Sequence, residues 1–244
     1  MMKHISFFIF LLCIKFTATV FGETDSLSRS AVMVIPYMPA MHLSDSDQDI
    51  SEGSQMDLSE VRASLRKGIV SALNKKFSEV YDVPGMKINF VNEDNSDMDI
   101  LYHSLLFESD STFPLKNPSR FAVKDTSILK IKSAGKEKKY INVGIADETL
   151  IPDFAKKYKA DYFIFLNEID IKTHFDDCLN LAMKIYRREL MVHYTIFDKL
   201  GKQIYGDVAI SNFESNTNDV KEIADKNFPS IAKYILDSFN RASN

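Results

Sequence analysis

Strand-forming residues are concentrated in residues 160–211, a stretch that contains no proline. Three successive segments are rich in β-branched and aromatic residues, namely ADYFIFLNEIDIKTHF, LAMKIYRRELMVHYTIFD and QIYGDVAIS. Such side chains favour strands, and the sequence Asp198-Lys199-Leu200-Gly201 has the composition of a tight turn. We therefore predict a C-terminal three-stranded antiparallel meander, with a hairpin between its last two strands.

Residues 57–79 have the periodicity of an amphipathic helix, because apolar residues recur there at every third or fourth position. Asp57 and Glu60 have the spacing of a capping box, and Met56 and Val61 that of a hydrophobic staple. This segment is predicted to be a long helix with one face packed on a sheet.

The C-terminal residues 220–239 show the same helical periodicity. Asn216 or Thr217 is the predicted cap of this terminal helix. Pro229 lacks an N–H group and clashes with the preceding turn, so we expect a kink there or a new helix start capped by Asn227.

Shorter elements precede the meander. They are a strand at 31–37, an exposed acidic loop at 38–55, a strand at 87–91, a short helix near 98–105, a hairpin of 128–132 with 140–145, and a helix at 148–159. The last helix leads directly into the strand at Ala160, an order that favours a strand–helix–strand crossover. The predicted fold class is α+β, with a mixed sheet of about five or more strands and helices packed on it.

The N-terminus has the layout of a secretory signal peptide. A basic start is followed by the apolar run 5–14 and by small residues up to Gly22, after which we expect cleavage. Residues 1–22 are thus a predicted signal peptide, and 23–244 a single α+β domain with an inserted loop or hairpin at about 108–145. Lipidation at Cys13 is disfavoured because bulky Leu12 precedes it, and the mature chain has no predicted transmembrane segment.

Charge and cysteine content narrow the classes of function. Residues 23–244 contain 28 basic and 34 acidic side chains, a net charge of −6 that gives no basic footprint for nucleic acid. Five lysines between Lys130 and Lys139 are interpreted as a solvated hairpin tip. Cys178 is the sole cysteine after residue 22, so no intramolecular disulfide is expected. The absence of an Asn-x-Ser/Thr acceptor favours a bacterial protein, periplasmic or secreted.

Candidate chemistry is sparse. The sequence His174-Phe-Asp-Asp-Cys178 could supply metal ligands, but its two aspartates are typical of a solvated bend. Asp45, Asp47 and Asp49 resemble the start of a calcium loop, yet the sixth position is Ile50 and the twelfth is Met56, which fails the EF-hand pattern. The acidic residues 45–52 are therefore interpreted as solvated, with cation binding left open.

No nucleophile elbow and no phosphate-binding glycine loop occurs in the sequence. We predict no catalytic, cofactor-binding or metal-binding residues and no cofactor. Two alternatives stay open. One is a secreted hydrolase that assembles its site from distant carboxylates and His193, and the other is a purely structural secreted protein.

Both faces of the predicted strand 181–197 carry apolar residues, whereas a sheet open to water on one side alternates cleanly. A helix, the inserted hairpin or a partner protein must cover part of the second face. Intramolecular cover is the simpler interpretation, and a partner-binding face is the functional one.

The order of elements resembles a family of bacterial envelope accessory domains that includes CsgG, the amino-terminal domain of TolB and LpoB. The resemblance lies in the opening strand 32–37, in the passage FAKKYKADYFIFL at 154–166, and in LMVHYTIFDKLGK at 190–202. It implies an exported, non-catalytic binding or assembly module of the cell envelope that contacts an envelope or secreted protein. Oligomeric state and partner identity are not predicted.

Overall fold

The computed structural model describes residues 29–86, 88, 90, 95–111 and 139–243. The predicted signal peptide, most of the predicted strand 87–91 and the predicted strand 128–132 lie outside these residues. The strands are β1 (Val32–Ile35), β2 (His42–Ser44), β3 (Leu105–Ser111), β4 (Tyr140–Ile145), β5 (Tyr162–Asn180), β6 (Ile185–Asp198) and β7 (Gln203–Glu214). The helices are α1 (Asp47–Ser54), α2 (Leu58–Phe77), α3 (Ser96–His103), α4 (Leu150–Tyr158) and α5 (Val220–Ala242), with a 3-10 turn at Pro39–Met41.

A mixed five-stranded sheet organises the fold. β5, β6 and β7 form the predicted antiparallel meander, and β1 and β2 pair in parallel with successive parts of β5. The turn between β6 and β7 is the predicted one, because Asp198 accepts hydrogen bonds from the backbone N–H groups of Leu200 and Lys202, and Gly201 has a φ of 81°. The α+β class and the C-terminal meander followed by a helix are confirmed.

The first hydrophobic core lies between this sheet and helices α1, α2 and α5. The capping box of α2 is formed as predicted, with Glu60 N–H donating to Asp57 and Asp57 N–H donating to Glu60. Phe77 at the end of α2 meets Phe239 of α5 edge to face, with 5.6 Å between ring centroids. Fully buried residues of this core include Ile164, Ile169, Val192, Ile196, Leu65, Ile69, Phe228 and Ile235.

A second core covers the opposite face of the sheet. β3 and β4 form a separate antiparallel two-stranded ribbon, and β4 lies against β5, β6 and β7. With α3 and α4 the ribbon buries apolar side chains of the sheet, including Met33, Ile35, Phe163, Phe165 and Phe197. The ribbon, α3 and α4 therefore cover much of the second face of the sheet from within the chain. The covered part is the one nearest β1.

The predicted exposed loop at 38–55 is wrong, because this segment contains β2 and α1. Ile50 of α1 is fully buried in the first core and holds this segment against the rest of the fold. A helix of eight residues with one buried apolar side chain leaves too little periodicity in the sequence to be recognised.

The predicted crossover between 140–145 and the strand at Ala160 is also wrong. β4 belongs to the ribbon and not to the main sheet, where β1 and β2 are the parallel partners of β5. The described partner of β4 is β3, with Leu105 opposite Ile145. The second half of β3 lies at the beginning of the insertion that was predicted at about 108–145.

Two boundaries differ from prediction at the C-terminal end. β6 begins at Ile185 instead of residue 181, because residues 181–184 form the turn after β5. The cap of α5 is Asp219, whose carboxylate accepts from Glu222 N–H, and not Asn216 or Thr217. α5 continues through Pro229 without a new start, and the Asn227 side chain donates to the Ile223 carbonyl within the helix.

Candidate functional site

The carboxylates of Asp45, Asp47 and Asp49, the residues that resemble the start of a calcium loop, bind to separate partners. Asp45 accepts from Thr173 N–H at 2.8 Å, while Asp49 accepts from Arg188 at 2.5 Å. Asp47 binds Arg62 Nε at 2.7 Å and His42 Nε2 at 3.0 Å. Each carboxylate therefore contacts a different partner, and they do not converge on a common point.

Asp47 keeps its charge in this buried position. Burial alone would raise the pKa of its carboxyl, but hydrogen bonds from His42 and Arg62 outweigh burial and hold the pKa below its ordinary value. The carboxylate of Asp47 thus links β2, α1 and α2. Both of its oxygens are used by these contacts, so it is not placed as a ligand of a calcium loop.

The side chains of 174–178 that could have supplied metal ligands do not converge either. Asp177 accepts from Arg187 Nε at 2.6 Å, Asp176 points into solvent, and Cys178 is an exposed free thiol. The nearest carboxylate oxygen to His174 Nε2 is that of Glu189, at 3.6 Å. Among the described residues, no group of three His, Cys, Asp or Glu side chains is placed to hold a metal ion.

His193 belongs to a buried polar cluster beneath the ribbon, which the sequence did not predict. Asn167 Nδ2 donates to the Ile141 carbonyl at 2.7 Å and to Thr195 Oγ1 at 2.8 Å, and so ties β4 to β5 and β6. Thr195 in turn donates to Asn142 at 2.9 Å. The members of the buried polar cluster are Tyr140, Asn142, Asn167, Glu168, His193, Thr195 and Gln203.

The hydrogen bonds of His193 determine its tautomer. Nδ1 accepts from Ile141 N–H at 3.0 Å, so in the neutral ring the proton is on Nε2. Nε2 lies 3.8 Å from Glu168 Oε1. In the neutral imidazole of His193, the lone pair of Nδ1 is therefore already used by a hydrogen bond, and none is free to act as a general base.

Burial moves the pKa values of this pair in opposite directions. Burial, with a smaller contribution from Asp170, raises the pKa of Glu168 to about 7. Burial lowers the pKa of His193 to about 4, although Asp207 opposes the shift. Each residue is only 8% exposed, and neither lines either of the two described cavities. Within the part of the chain that the structure describes, the pair is a buried contact between β5 and β6.

The smaller of those cavities, about 360 Å³, lies beside Arg62 and Arg66 of α2. Arg66 is buried, and its guanidinium carbon lies 5.5 Å from the ring centroid of Phe90 and 5.8 Å from that of Tyr102. The same side chain donates to the Tyr102 hydroxyl at 2.5 Å. These contacts attach α3 to α2 through cation–π and hydrogen-bond interactions.

The hairpin of β5 and β6 continues past the end of β7, whose last residue, Glu214, is opposite Arg187. We call residues 175–185 the arm. Four large apolar side chains of the arm are exposed: Phe175 (71%), Leu179 (51%), Leu181 (83%) and Met183 (65%). The ring centroids of Phe175 and Tyr186 are 5.3 Å apart. The other three exposed side chains lie in or next to the turn at residues 181–184.

Formal charges balance over residues 175–187, which are the arm and the two residues that follow it. Asp177 pairs with Arg187 at its base, and Asp176 and Lys184 are both exposed. The arm therefore presents an apolar tip with no net charge near it. Apolar side chains gathered at one exposed site, unlike single scattered ones, are typical of an interaction surface. The sequence signal was available in FDDCLNLAMK, but Asp176 and Asp177 were interpreted as a solvated bend and the part from Leu181 as the next strand, whereas β5 continues through the aspartates to Asn180.

None of the helices in the described part of the chain combines the length with the apolar composition that a membrane span requires.

No family model and no curated protein matches this chain. Among solved structures, one similar chain is the hypothetical protein CT253 from Chlamydia trachomatis, with 12% sequence identity and a TM-score of 0.35. The match covers 76% of this chain and 73% of that one. A similarity of this size carries no information on function, and the resemblance to CsgG, TolB and LpoB stays a prediction.

Proposed function

We propose that the chain is an exported binding or assembly module of the bacterial cell envelope, which acts through protein–protein contacts and is not an enzyme. The observation that carries the proposal is the arm, whose four exposed apolar side chains lie beyond the end of β7. Burying such side chains against a partner contributes about 25 cal/mol per Å² of apolar surface, whereas leaving them in water gains nothing for the fold.

Support for export and for an envelope location comes from the sequence. The basic and apolar start of the chain has the signal-peptide pattern, and the resemblance to envelope accessory domains implies the same compartment. A module of this kind needs a rigid body that presents its contact surface, and the long β5–β6 hairpin supplies one.

Affinity capture from a native envelope extract tests this proposal. The wild-type protein is expected to retain a stoichiometric partner, and a variant with Leu181→Ser and Met183→Ser is expected to lose it. Leu200→Ser is the matched control, because Leu200 is 75% exposed but lies at the β6–β7 turn. If the double variant captured the same protein as the wild type, the arm would not be the contact surface.

A secreted hydrolase is the second candidate, and the proximity of His193 to Glu168 favours it. A carboxyl group whose pKa is near 7 is suited to proton transfer. Against this candidate, both side chains lie under the ribbon and His193 Nδ1 already accepts from the backbone. Turnover of chromogenic esters or glycosides that disappeared in Glu168→Gln would support the hydrolase over the module.

A further inference from the structure

The smaller cavity lies between the first half of α2 and the segment that joins β1 to β2. Its volume is about 360 Å³, at the lower end of the range of about 300–1,000 Å³ that small-molecule sites occupy. Two of its lining residues reach the surface, since the Arg62 side chain is 51% exposed and Leu58 is 40% exposed. The cavity therefore opens to solvent beside these two residues.

The charged side chains that line this cavity are cationic. Arg62 and Arg66 lie one helical turn apart on α2 and both line the cavity, and none of its described lining residues is acidic. Arg66 is only 4% exposed, and its guanidinium carbon lies 5.8 Å from the ring centroid of Tyr37 and 5.5 Å from that of Phe90. The charge of the lining therefore favours an anionic ligand.

Arg62 is held in place by one of its nitrogens and has the others open. Its Nε donates to Asp47 at 2.7 Å, and Asp47 also accepts from His42 Nε2 at 3.0 Å. His42 Nδ1 in turn accepts from the Tyr37 hydroxyl at 3.2 Å, so the chain of contacts that fixes Arg62 reaches back into the buried wall of the cavity. Within the described residues, Nη1 and Nη2 of Arg62 have no hydrogen-bond partner. These amino groups lie in one plane and match the paired oxygens of a carboxylate.

Much of the remaining lining is apolar, with contributions from Pro39, Leu58, Ala63 and Phe90. A small inorganic anion would leave this apolar surface in water, whereas an apolar group attached to the anion would bury it. We propose that the cavity binds a small organic acid whose carboxylate pairs with Arg62 and whose aryl or short alkyl body packs against Leu58, Ala63 and Phe90. No lining residue belongs to the arm, so this site is separate from the contact surface of the proposed module.

Methyl NMR spectra of the purified protein, titrated with benzoate and with hexanoate, test this proposal. At least one of these acids is expected to shift the Ala63 methyl resonance until the site is saturated. The Ala72 methyl resonance should stay unchanged, because Ala72 lines the larger cavity. The uncharged analogues benzamide and hexanamide are expected to bind about tenfold more weakly or less, since a hydrogen bond to a charged group is the stronger one. Inorganic phosphate, which has no apolar body, is also expected to bind more weakly than the acids.

Substitutions on α2 test the role of Arg62. Arg62→Gln is expected to weaken binding of the acid about tenfold or more, because it removes the guanidinium group. Lys67→Gln removes the same charge from an exposed position of α2 that does not line the cavity, and it should leave the affinity unchanged. If Arg62→Gln failed to fold, Leu58→Glu would decide instead, since it places a carboxylate at the exposed side of the cavity and should abolish binding.

Three results would overturn the proposal. The first is that neither acid shifts the Ala63 methyl resonance in a saturable way. The second is that the amides or phosphate bind as tightly as the acids. The third is that a folded Arg62→Gln variant, or Leu58→Glu in its place, binds the acid with the affinity of the wild type.

Discussion

The backbone N–H of Ile141 donates to Nδ1 of His193 at 3.0 Å, across the boundary between the ribbon and the main sheet. This bond places the ring proton on Nε2, facing Glu168. A single imidazole thus satisfies a backbone donor of β4 and contacts a carboxyl group of β5. The ribbon is held by polar contacts as well as by the second core.

Glu168→Gln is expected to change how the free energy of unfolding depends on pH. Because the pKa of Glu168 is raised to about 7, the wild type loses stability as the pH rises from about 4.5 through 7. The glutamine variant has no charge to bury. Its stability relative to the wild type should therefore increase by about 1–3 kcal/mol between pH 4.5 and pH 8.

Denaturant unfolding at the two pH values measures this difference. Glu148→Gln is the control, since Glu148 is exposed and its substitution should have little effect on the pH dependence. A pH-independent difference between Glu168→Gln and the wild type would show that Glu168 is not desolvated.

His193→Ala is expected to loosen β4 locally. Loss of a buried hydrogen bond costs about 1–3 kcal/mol, so the Ile141 amide should exchange with solvent about ten- to a hundredfold faster. His174→Ala is the matched control, because His174 lies on β5 of the same hairpin with no described hydrogen bond to β4. Equal Ile141 exchange in the two variants would contradict the role assigned to His193.

Gly206→Ala is expected to destabilise the protein by about 2 kcal/mol or more, as overpacking of a close contact does. An added Cβ at Gly206 would overlap the ring and hydroxyl of Tyr140, which packs on it from the ribbon. At Gly144 the nearest atoms to an added Cβ, those of Leu106, are 3.9 Å away. Gly144→Ala should therefore change the thermal midpoint far less, and similar effects of the two substitutions would argue against the described docking of the ribbon.

Calcium is expected to leave the thermal unfolding midpoint unchanged. The carboxylates of Asp45, Asp47 and Asp49 are directed to separate partners, so an ion would have to break existing hydrogen bonds to gain more than one ligand. Melting curves in calcium chloride and in chelator should coincide. A clear upward shift in calcium that Asp47→Asn abolishes would contradict this assignment.

The sequence was sufficient to predict those elements whose stabilising contacts are made between residues that are close together in the chain. The capping box at Asp57 and the turn at Gly201 are formed by neighbouring residues, so their spacing alone predicts them. The meander could be predicted for a similar reason, because consecutive strands joined by short turns usually pair with each other.

Contacts between distant segments could not be predicted in this way. Asn142 and Gln203 are ordinary polar residues of two strands, and only the packing of β4 on the sheet brings them together. Asn167 and Glu168 do interrupt an otherwise apolar strand at a bulge, which was the one available signal for the buried polar cluster. The sequence does not say which segment supplies their partners.

The most direct test of the proposed function is site-specific photo-cross-linking in native cells. A photoreactive amino acid at position Leu181 is expected to give one discrete cross-linked protein product. The same group at Leu200, which is 75% exposed against 83% for Leu181 and lies at the β6–β7 turn, is expected to give none. Cross-linking that is absent at Leu181, or the same at both positions, would contradict a binding module that acts through its arm.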